Sequence, residues 1–397
     1  MKYRMLDLLC CPQCSATLSI FPFEETEVEA SVKGIGIHSP RCRYYCGVRR
    51  TFLASRNSSE DRPDCASCYG REVLEGILVC ECGSLFPIID KVPRFLEGKL
   101  ASFPKFLEKN RKQVEKVLDA RRTAGARGTY SIGEAFTSIH DSFSQEWDLF
   151  EYERDKTWGW DISTRKKIFL DEMGLGQPSL SGKLLLDAGC GNGILTSTLS
   201  EFGMEVIGLD VSESVVRAEQ QKDKYANATS SLVHFVQGNL FTPPLRTGAF
   251  DLIYSSGVLH HCPNTRDTFF KLVPLVKNGG RVYIWVYGKR GPLVRAFFWH
   301  GRLLRRFVSL KSLYHYCRAL SPLYKSASDV LSALKLYSFR KRTTREISLD
   351  LFDAFSPQYN HAHDLDEVTT WFAEHRFTNI TKAGVSKHGL GVRGDRA

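Results

Sequence analysis

Along the second half of the chain, short apolar runs alternate with amphipathic stretches. Residues 183–187, 205–210, 232–236, 250–254 and 281–286 are dominated by Leu, Val, Ile, Phe and Tyr. Each is short enough to be a strand buried on both faces. Residues 194–202 and 212–225, lying between the first three runs, carry apolar positions at helical spacing. The fifth run is entered through Asn278-Gly279-Gly280, a turn sequence. Buried strands alternating with helices predict an α/β fold, a parallel sheet with helices on both faces.

The pattern differs on either side of this region. Residues 1–98 read as strands and turns, closing with an extended stretch, Leu85 to Pro93, bounded by prolines. Residues 105–122 have helical spacing and many charges, which predicts a solvated connecting helix. The Gly/Ala/Arg-rich stretch 123–129 reads as a linker. Beyond the fifth run, Leu293, Val294, Phe297, Phe298, Leu304, Phe307 and Val308 alternate with Arg295, Arg302, Arg305 and Arg306. That spacing predicts amphipathic helices, a helical insertion over 289–350. The expected division is therefore 1–98, a helical linker 99–134, and an α/β domain 135–397 that contains the insertion.

At 397 residues the chain is too long for one simple core, so more than one domain is expected. Its net charge of +10 is local: from Gly288 to Arg345 there are fourteen Lys and Arg against one acid, Asp329. Any polyanion contact belongs to that segment. No apolar run is long enough to span a bilayer, and the N-terminus lacks a signal-peptide pattern, so the expected location is the cytoplasm. Of twelve cysteines, nine precede residue 83. Eight of those form the close pairs Cys11/Cys14, Cys42/Cys46, Cys65/Cys68 and Cys80/Cys82. In a reducing compartment such pairs predict metal binding rather than disulfides.

The clearest chemical motif is Asp187-Ala188-Gly189-Cys190-Gly191-Asn192-Gly193, directly after the first strand and before a helix. Glycines let the backbone turn sharply, and the helix N-terminus offers N–H groups to an anionic ligand. The Gly-x-Gly-x-Gly spacing and the preceding acid differ from the dinucleotide fingerprint. Asp210 ends the second strand, where a carboxylate can accept from both hydroxyls of a ribose. Asn239 and Leu240 follow the third strand, and Ser255 and Ser256 end the fourth.

These residues resemble the class I S-adenosylmethionine-dependent methyltransferases. The resemblance rests on four ordered segments: 185–193, 206–210, 250–261 (Phe-Asp-Leu-Ile-Tyr-Ser-Ser-Gly-Val-Leu-His-His) and 276–282. It implies a Rossmann-like seven-stranded sheet with an antiparallel last strand. It also implies that S-adenosylmethionine is held by Asp187, Gly189, Gly191 and Gly193 at its methionine portion and by Asp210 at its ribose. Asn239, with Leu240 and Ser256 beside it, would face the adenine end.

Methyl transfer asks the protein to position an acceptor and, where needed, to remove its proton. His260 and His261 are candidates, with packing beside the cofactor as the alternative. A second cluster, Ser356 to His363, lies on a loop before the helix 365–374, and its His363 is the third candidate. Arg165 reads as a solvated helix residue, with pairing to the methionine carboxylate as the alternative, near Trp147, Trp158 and Trp160 of a segment that covers the pocket in the resembled family.

Cys11-x-x-Cys14 with Cys80-x-Cys82 has the form of a four-thiolate zinc site. Its flanks, Met5 to Cys14 and Leu85 to Pro93, resemble the Trm112-like zinc-binding domain, although relatives usually space the last pair by two residues. Cys42, Cys46, Cys65 and Cys68 could close a second zinc site. The zinc-binding domain is expected to fold around its metal separately from the α/β domain. The expected acceptor is a small molecule, such as a sugar, glycan precursor or secondary metabolite, with an anionic character suited to the basic segment. An RNA methyltransferase is the alternative the zinc domain permits. The segment 289–345 reads as a lid, with peripheral membrane contact and nucleic-acid contact as the other readings.

Overall fold

The computed structural model describes residues 1–28, 42–53, 65–96, 100, 103–123, 144, 156–157, 160–289, 291–333, 342–384 and 389–397. The N-terminal part is a four-stranded antiparallel sheet of β1 (Ser19–Glu27), β4 (Arg71–Val79), β5 (Leu85–Ile89) and β6 (Val92–Pro93). Beside it lie the short pair β2 (Tyr45–Cys46) and β3 (Thr51–Phe52) and the one-turn helix α1 (Cys65–Gly70). The expected helix over 105–122 is two helices, α2 (Pro104–Lys109) and α3 (Arg111–Thr123), broken at Asn110. It is only half solvated: Phe106 and Val114 pack with Ile77 and Leu85 of the small sheet. The linker 123–129 lies, beyond Thr123, outside the described residues.

After a short hairpin, β7 (Lys156–Thr157) and β8 (Trp160–Asp161), the α/β region begins with α4 (Ile162–Met173). Asp161 caps this helix, accepting from the Thr164 N–H, and Gly174 ends it in the left-handed conformation. The main sheet comprises β9 (Leu184–Ala188), β10 (Glu205–Asp210), β11 (Val233–Gln237), β12 (Phe250–Ser256), β13 (Val276–Tyr287), β14 (Phe377–Ala383) and β15 (Gly389–Arg396). Its order is β11-β10-β9-β12-β13-β15-β14. The first five strands are parallel, and β15 runs antiparallel to both neighbours. This is the Rossmann-like seven-stranded sheet with a reversed last strand that the pattern and the resemblance implied.

Alternation along the strands sends side chains to two layers. Leu185, Val206, Leu252 and Tyr283 pack with Phe169 and Met173 of α4 and with Leu199 of α5 (Ile194–Leu199). Leu186, Ile207, Ile253 and Val282 pack on the other face with Phe269 of α7 (Thr265–Leu272). Phe235 and Val233 on the edge strand meet Val215 and Ala218 of α6 (Ser214–Ala226).

The small sheet shares this core. Met5, Leu6, Leu8 and Phe95 belong to the same buried cluster as Leu186 and Ile253. Arg94 forms a parallel bridge with Gln237 of β11, and the Phe95 N–H donates to the Gln237 carbonyl at 2.8 Å. The edge of the main sheet is thus covered rather than exposed. Glu205, at the start of β10, is buried between Arg4 at 3.1 Å, the Tyr69 hydroxyl at 2.9 Å and His234 at 3.2 Å.

The basic segment forms α8 (Pro292–Arg305), α9 (Leu310–Ala333) and α10 (Thr344–Phe355), the helical insertion expected there. It has its own core of Leu313, Cys317, Phe352 and Phe355, against which Phe297, Phe298, Leu304 and Val308 pack. The side chains of Leu293 and Val294 lie outside the described residues. Helix α11 (Leu365–Glu374), with its Asp364 capping box, follows. No described helix is long and apolar enough to cross a membrane.

Candidate active site and thiolate centre

The glycine-rich turn sits at the carboxyl end of β9, in the middle of the sheet. Gly189, Gly191 and Gly193 have φ of 87°, 54° and 68°, a region that L side chains rarely adopt. Space forbids a side chain as well. A Cβ on Gly189 would lie 2.3 Å from Val258, and one on Gly193 would lie 2.5 Å from the Ala218 Cβ. The turn is fastened to the next strand. Asp210 accepts from the Gly191 N–H at 2.9 Å through one oxygen, and from the Ser212 N–H and hydroxyl through the other.

Asp187 is buried beneath the turn and accepts from the Thr196 hydroxyl at 2.6 Å. Burial pushes its carboxyl up to about 6, against the pull of Thr196 and of the Arg165 charge. Asn239 turns its side-chain oxygen to the Phe241 N–H at 2.8 Å, and Leu240 is buried next to it. Ser256, half-buried, ends β12. Asp187, Asp210, Asn239 and Ser256 thus all stand at carboxyl ends of parallel strands, where open α/β sheets bind ligands.

Whether a ligand fits there is answered by one further atom. The Asn192 Nδ2 group, inside the turn, is buried and has no hydrogen-bond partner among the described residues. A buried donor left unmade costs about 1–3 kcal/mol, so it points to a polar group that the turn receives. Asn192 lies inside the motif, and its role was open to a closer reading of it.

Arg165 is not the solvated residue that its helix pattern suggested. It is largely enclosed and donates to the Tyr254 hydroxyl at 3.0 Å, which in turn donates to Glu172 at 2.5 Å. Tyr254 is paired in register with Asp187, so this buried chain braces the carboxyl end of β9. Its members are far apart in sequence, and no local pattern joins them. Trp147 and the side chain of Trp158 lie outside the described residues, whereas Trp160 is exposed.

The two acceptor-side clusters meet. The His361 N–H donates to the His260 carbonyl at 2.9 Å, and the His363 N–H donates to the Tyr287 carbonyl at 2.9 Å. The His260 ring lies 3.9 Å from that of Tyr287. His261 Nδ1 is 3.0 Å from the Tyr359 carbonyl, so its proton sits on Nδ1 and its lone pair on Nε2. Burial, the largest influence, lowers its pKa to about 4 and keeps the ring neutral at pH 7. His363 has both ring nitrogens engaged, with Glu367 and with the Thr265 hydroxyl, each at 3.0 Å. It ties α11 to α7 and holds the loop that carries Tyr359.

In the N-terminal part, Cys11, Cys14, Cys80 and Cys82 place their sulfurs within 4.8 Å of one another, the only such ligand group among the described residues. The Cys11–Cys82 and Cys14–Cys80 separations are 3.6 and 3.4 Å. Four sulfurs at 2.3 Å from a tetrahedral zinc stand about 3.8 Å apart, so the set fits that ion. The turn before Ser84 closes through Gly83 at φ 108°, with the Gly83 N–H donating to the Cys80 carbonyl. One intervening residue therefore suffices to bring Cys82 to the set. Cys42, Cys46 and Cys68 are buried, and the Cys42 and Cys68 thiols are within hydrogen-bonding reach. The Cys65 side chain lies outside the described residues.

Residues 186–284 match the family described as a methyltransferase domain. The mitochondrial ubiquinone biosynthesis O-methyltransferase of Schizosaccharomyces pombe is 27% identical over 153 residues, 36% of this chain and 56% of that protein. The demethylmenaquinone methyltransferase of Lactococcus lactis is 29% identical over 154 residues, 38% of this chain and 56% of that protein. The chain thus spans little more than half the length of these curated relatives. Among solved structures, the magnesium protoporphyrin IX methyltransferase of Synechocystis aligns with a TM-score of 0.41 at 16% identity, covering 66% of this chain and 100% of that one. The fold and its strand-end site define a Rossmann-like ligand-binding sheet. The sequence matches show, more narrowly, that residues 186–284 are similar to methyltransferase domains.

Proposed function

We propose that this chain transfers a methyl group from S-adenosylmethionine to a small-molecule acceptor, and that its N-terminal part, residues 1–98, is a Trm112-like zinc-binding domain. The observation that carries the first reading is the turn at 189–193. Its three glycines hold conformations closed to other residues, its Asn192 amide awaits a partner, and Asp210 grips it. Asp187, Gly189, Gly191 and Gly193 would hold the methionine portion, Asp210 the ribose, and Asn239, Leu240 and Ser256 the adenine end. When bound, S-adenosylmethionine supplies an electrophilic methyl group. The remaining work falls to the chain, which must orient the acceptor and take up its proton. His261 is the candidate for the proton: the Tyr359 carbonyl orients its ring with the lone pair on Nε2, although burial, which lowers its pKa to about 4, makes it a weak base. His260 and His363 keep it in place, the first through the Tyr287 stack and the second through the loop.

Relatives named for ubiquinone and menaquinone support an acceptor of small-molecule size over RNA. Incubation with methyl-labelled S-adenosylmethionine and fractionated metabolites or RNA tests the reading. Label in the metabolite fraction is expected, and label confined to RNA would overturn it. For the metal, the four gathered thiols support one zinc at Cys11, Cys14, Cys80 and Cys82. The facing Cys42 and Cys68 thiols support a second, completed by Cys46 and Cys65.

A further inference from the structure

The insertion carries a cavity of about 490 Å³ between the last turns of α8 and the loop that begins at Ser356. Three guanidinium groups line it, those of Arg302, Arg305 and Arg306. Among the described residues no carboxylate lies within ion-pair distance of any of them, whereas Arg342, on the same insertion, pairs with Asp350. The Nε atoms of Arg302 and Arg305 are buried without a partner. Arg302 makes one weak hydrogen bond, at 3.3 Å to the Asn360 carbonyl. Cations at a helix C-terminus are favoured by its dipole, which would explain exposed arginines there. It does not explain buried, unpaired donors, each of which costs free energy until something accepts from it.

A second observation points the same way. Ser356 lines the cavity, is 1% exposed, and its hydroxyl has no partner. The wall also includes Trp299, 60% exposed, and the buried Pro357. The donor set is thus three cations and a hydroxyl beside an aromatic face, with no acceptor charge of its own. Guanidinium forks match the oxygens of a phosphate group. The volume suits a molecule of metabolite size rather than a bare ion.

We propose that this cavity binds the phosphate or diphosphate group of the methyl acceptor. The proposal rests on the methyltransferase reading only for the word acceptor; the anion site stands on its own atoms. Position supports the link. The loop that floors the cavity at Ser356 continues to Tyr359, whose carbonyl fixes His261, and to Asn360, whose carbonyl meets Arg302. A phosphate held by the arginines therefore bears on the segment that sets the proposed base. The shared chemistry is a phosphoryl group, carried either by a soluble ester or by a membrane lipid.

The test uses the full chain and inorganic pyrophosphate, with S-adenosylmethionine titrated in parallel by calorimetry. Saturable pyrophosphate binding that quenches tryptophan fluorescence is expected, with the quench lost in Trp299→Phe. The Arg305→Gln/Arg306→Gln double variant, which spares the Arg302–Asn360 bond, should bind pyrophosphate at least tenfold more weakly and S-adenosylmethionine equally well. Ser356→Ala should weaken pyrophosphate alone, by a few fold. A control, Lys311→Gln/Arg318→Gln, removes the same charge elsewhere on the insertion and should leave binding unchanged. No saturable binding, or an equal loss in the control, would overturn the site. If wild-type protein binds pyrophosphate but not S-adenosylmethionine, the methyltransferase reading falls and the anion site stands. Vesicles separate the two sources. Retention on phosphatidylcholine vesicles containing phosphatidic acid, competed by pyrophosphate and lost in the double variant, identifies a lipid headgroup. Pyrophosphate binding without vesicle retention identifies a soluble phosphoester.

Discussion

Replacing Asp210 with alanine separates a ligand-binding role from a structural one. Its carboxylate accepts from the Gly191 N–H, the Ser212 N–H and the Ser212 hydroxyl, at 2.9, 2.9 and 2.7 Å. The oxygen that meets Gly191 retains a lone pair for one ribose hydroxyl, and the other gains one when the Ser212 hydroxyl turns to the Ser214 hydroxyl, 2.5 Å away. Two charge-assisted hydrogen bonds to those hydroxyls are worth about 1.5–3 kcal/mol each before compensation. At about 1.4 kcal/mol per tenfold change, even the low end predicts roughly a hundredfold loss of S-adenosylmethionine affinity. Loosening of the turn adds to that loss. Asp210→Asn isolates the charge: its amide oxygen can still accept from Ser212, while its NH2 faces the Gly191 N–H and cannot. Titration calorimetry of wild type and both variants, with thermal melts alongside, gives the comparison. Full affinity in Asp210→Ala with an unchanged melt would refute both the ribose assignment and the claim that this carboxylate grips the turn.

Gly193→Ala should destabilise the fold by about 1–3 kcal/mol, because it combines positive φ with a Cβ 2.5 Å from Ala218; denaturant titration reads the change. Carefully purified protein should contain one zinc from the Cys11 set, or two if the Cys42 set also binds, and Cys80→Ser should lower the content by one; elemental analysis finding none would contradict the assignment. Acid should weaken the fold. Burial lowers His234 and His261 to about 4, so stability present above their unfolded pKa near 6.5 is lost as pH falls toward 4. Asp187, raised to about 6, works oppositely, gaining a proton and favouring the fold over part of the same window. Two histidines outweigh one carboxyl, so these three groups together lose stability between pH 7 and pH 4. Melts of wild type and His234→Gln at both pH values should show a smaller acid loss in the variant.

The sheet was readable because its strands are buried on both faces, so Leu184-Leu185-Leu186 and its counterparts stand out without any partner being known. The turn after β9 was readable because a tight turn restricts residue choice at Gly189, Gly191 and Gly193. What the sequence hid was assembled over long separations. Arg165, Tyr254, Glu172 and Asp187 form one buried network, yet on its own helix Arg165 looks like any surface arginine. The meeting of His261 with Tyr359 depends on how the loop after the insertion returns to β13, which spacing does not encode. The burial of Phe106 and Val114 was hidden because it depends on the small sheet offering Ile77 and Leu85 to a segment that charge alone would have left in solvent.

Glu205 has a consequence for how the chain can be taken apart. It begins a central strand of the α/β sheet, yet two of its three partners, Arg4 and Tyr69, come from the N-terminal part. A chain trimmed to 135–397 would keep the carboxylate and lose the cation that neutralises it. A buried charge stripped of its partner costs about 3–5 kcal/mol, a large share of a typical domain's stability. The N-terminal part is therefore not an appendage that can come and go. It acts as a structural keystone, and unfolding it should be felt in the α/β sheet, whereas the sequence suggested separate folding.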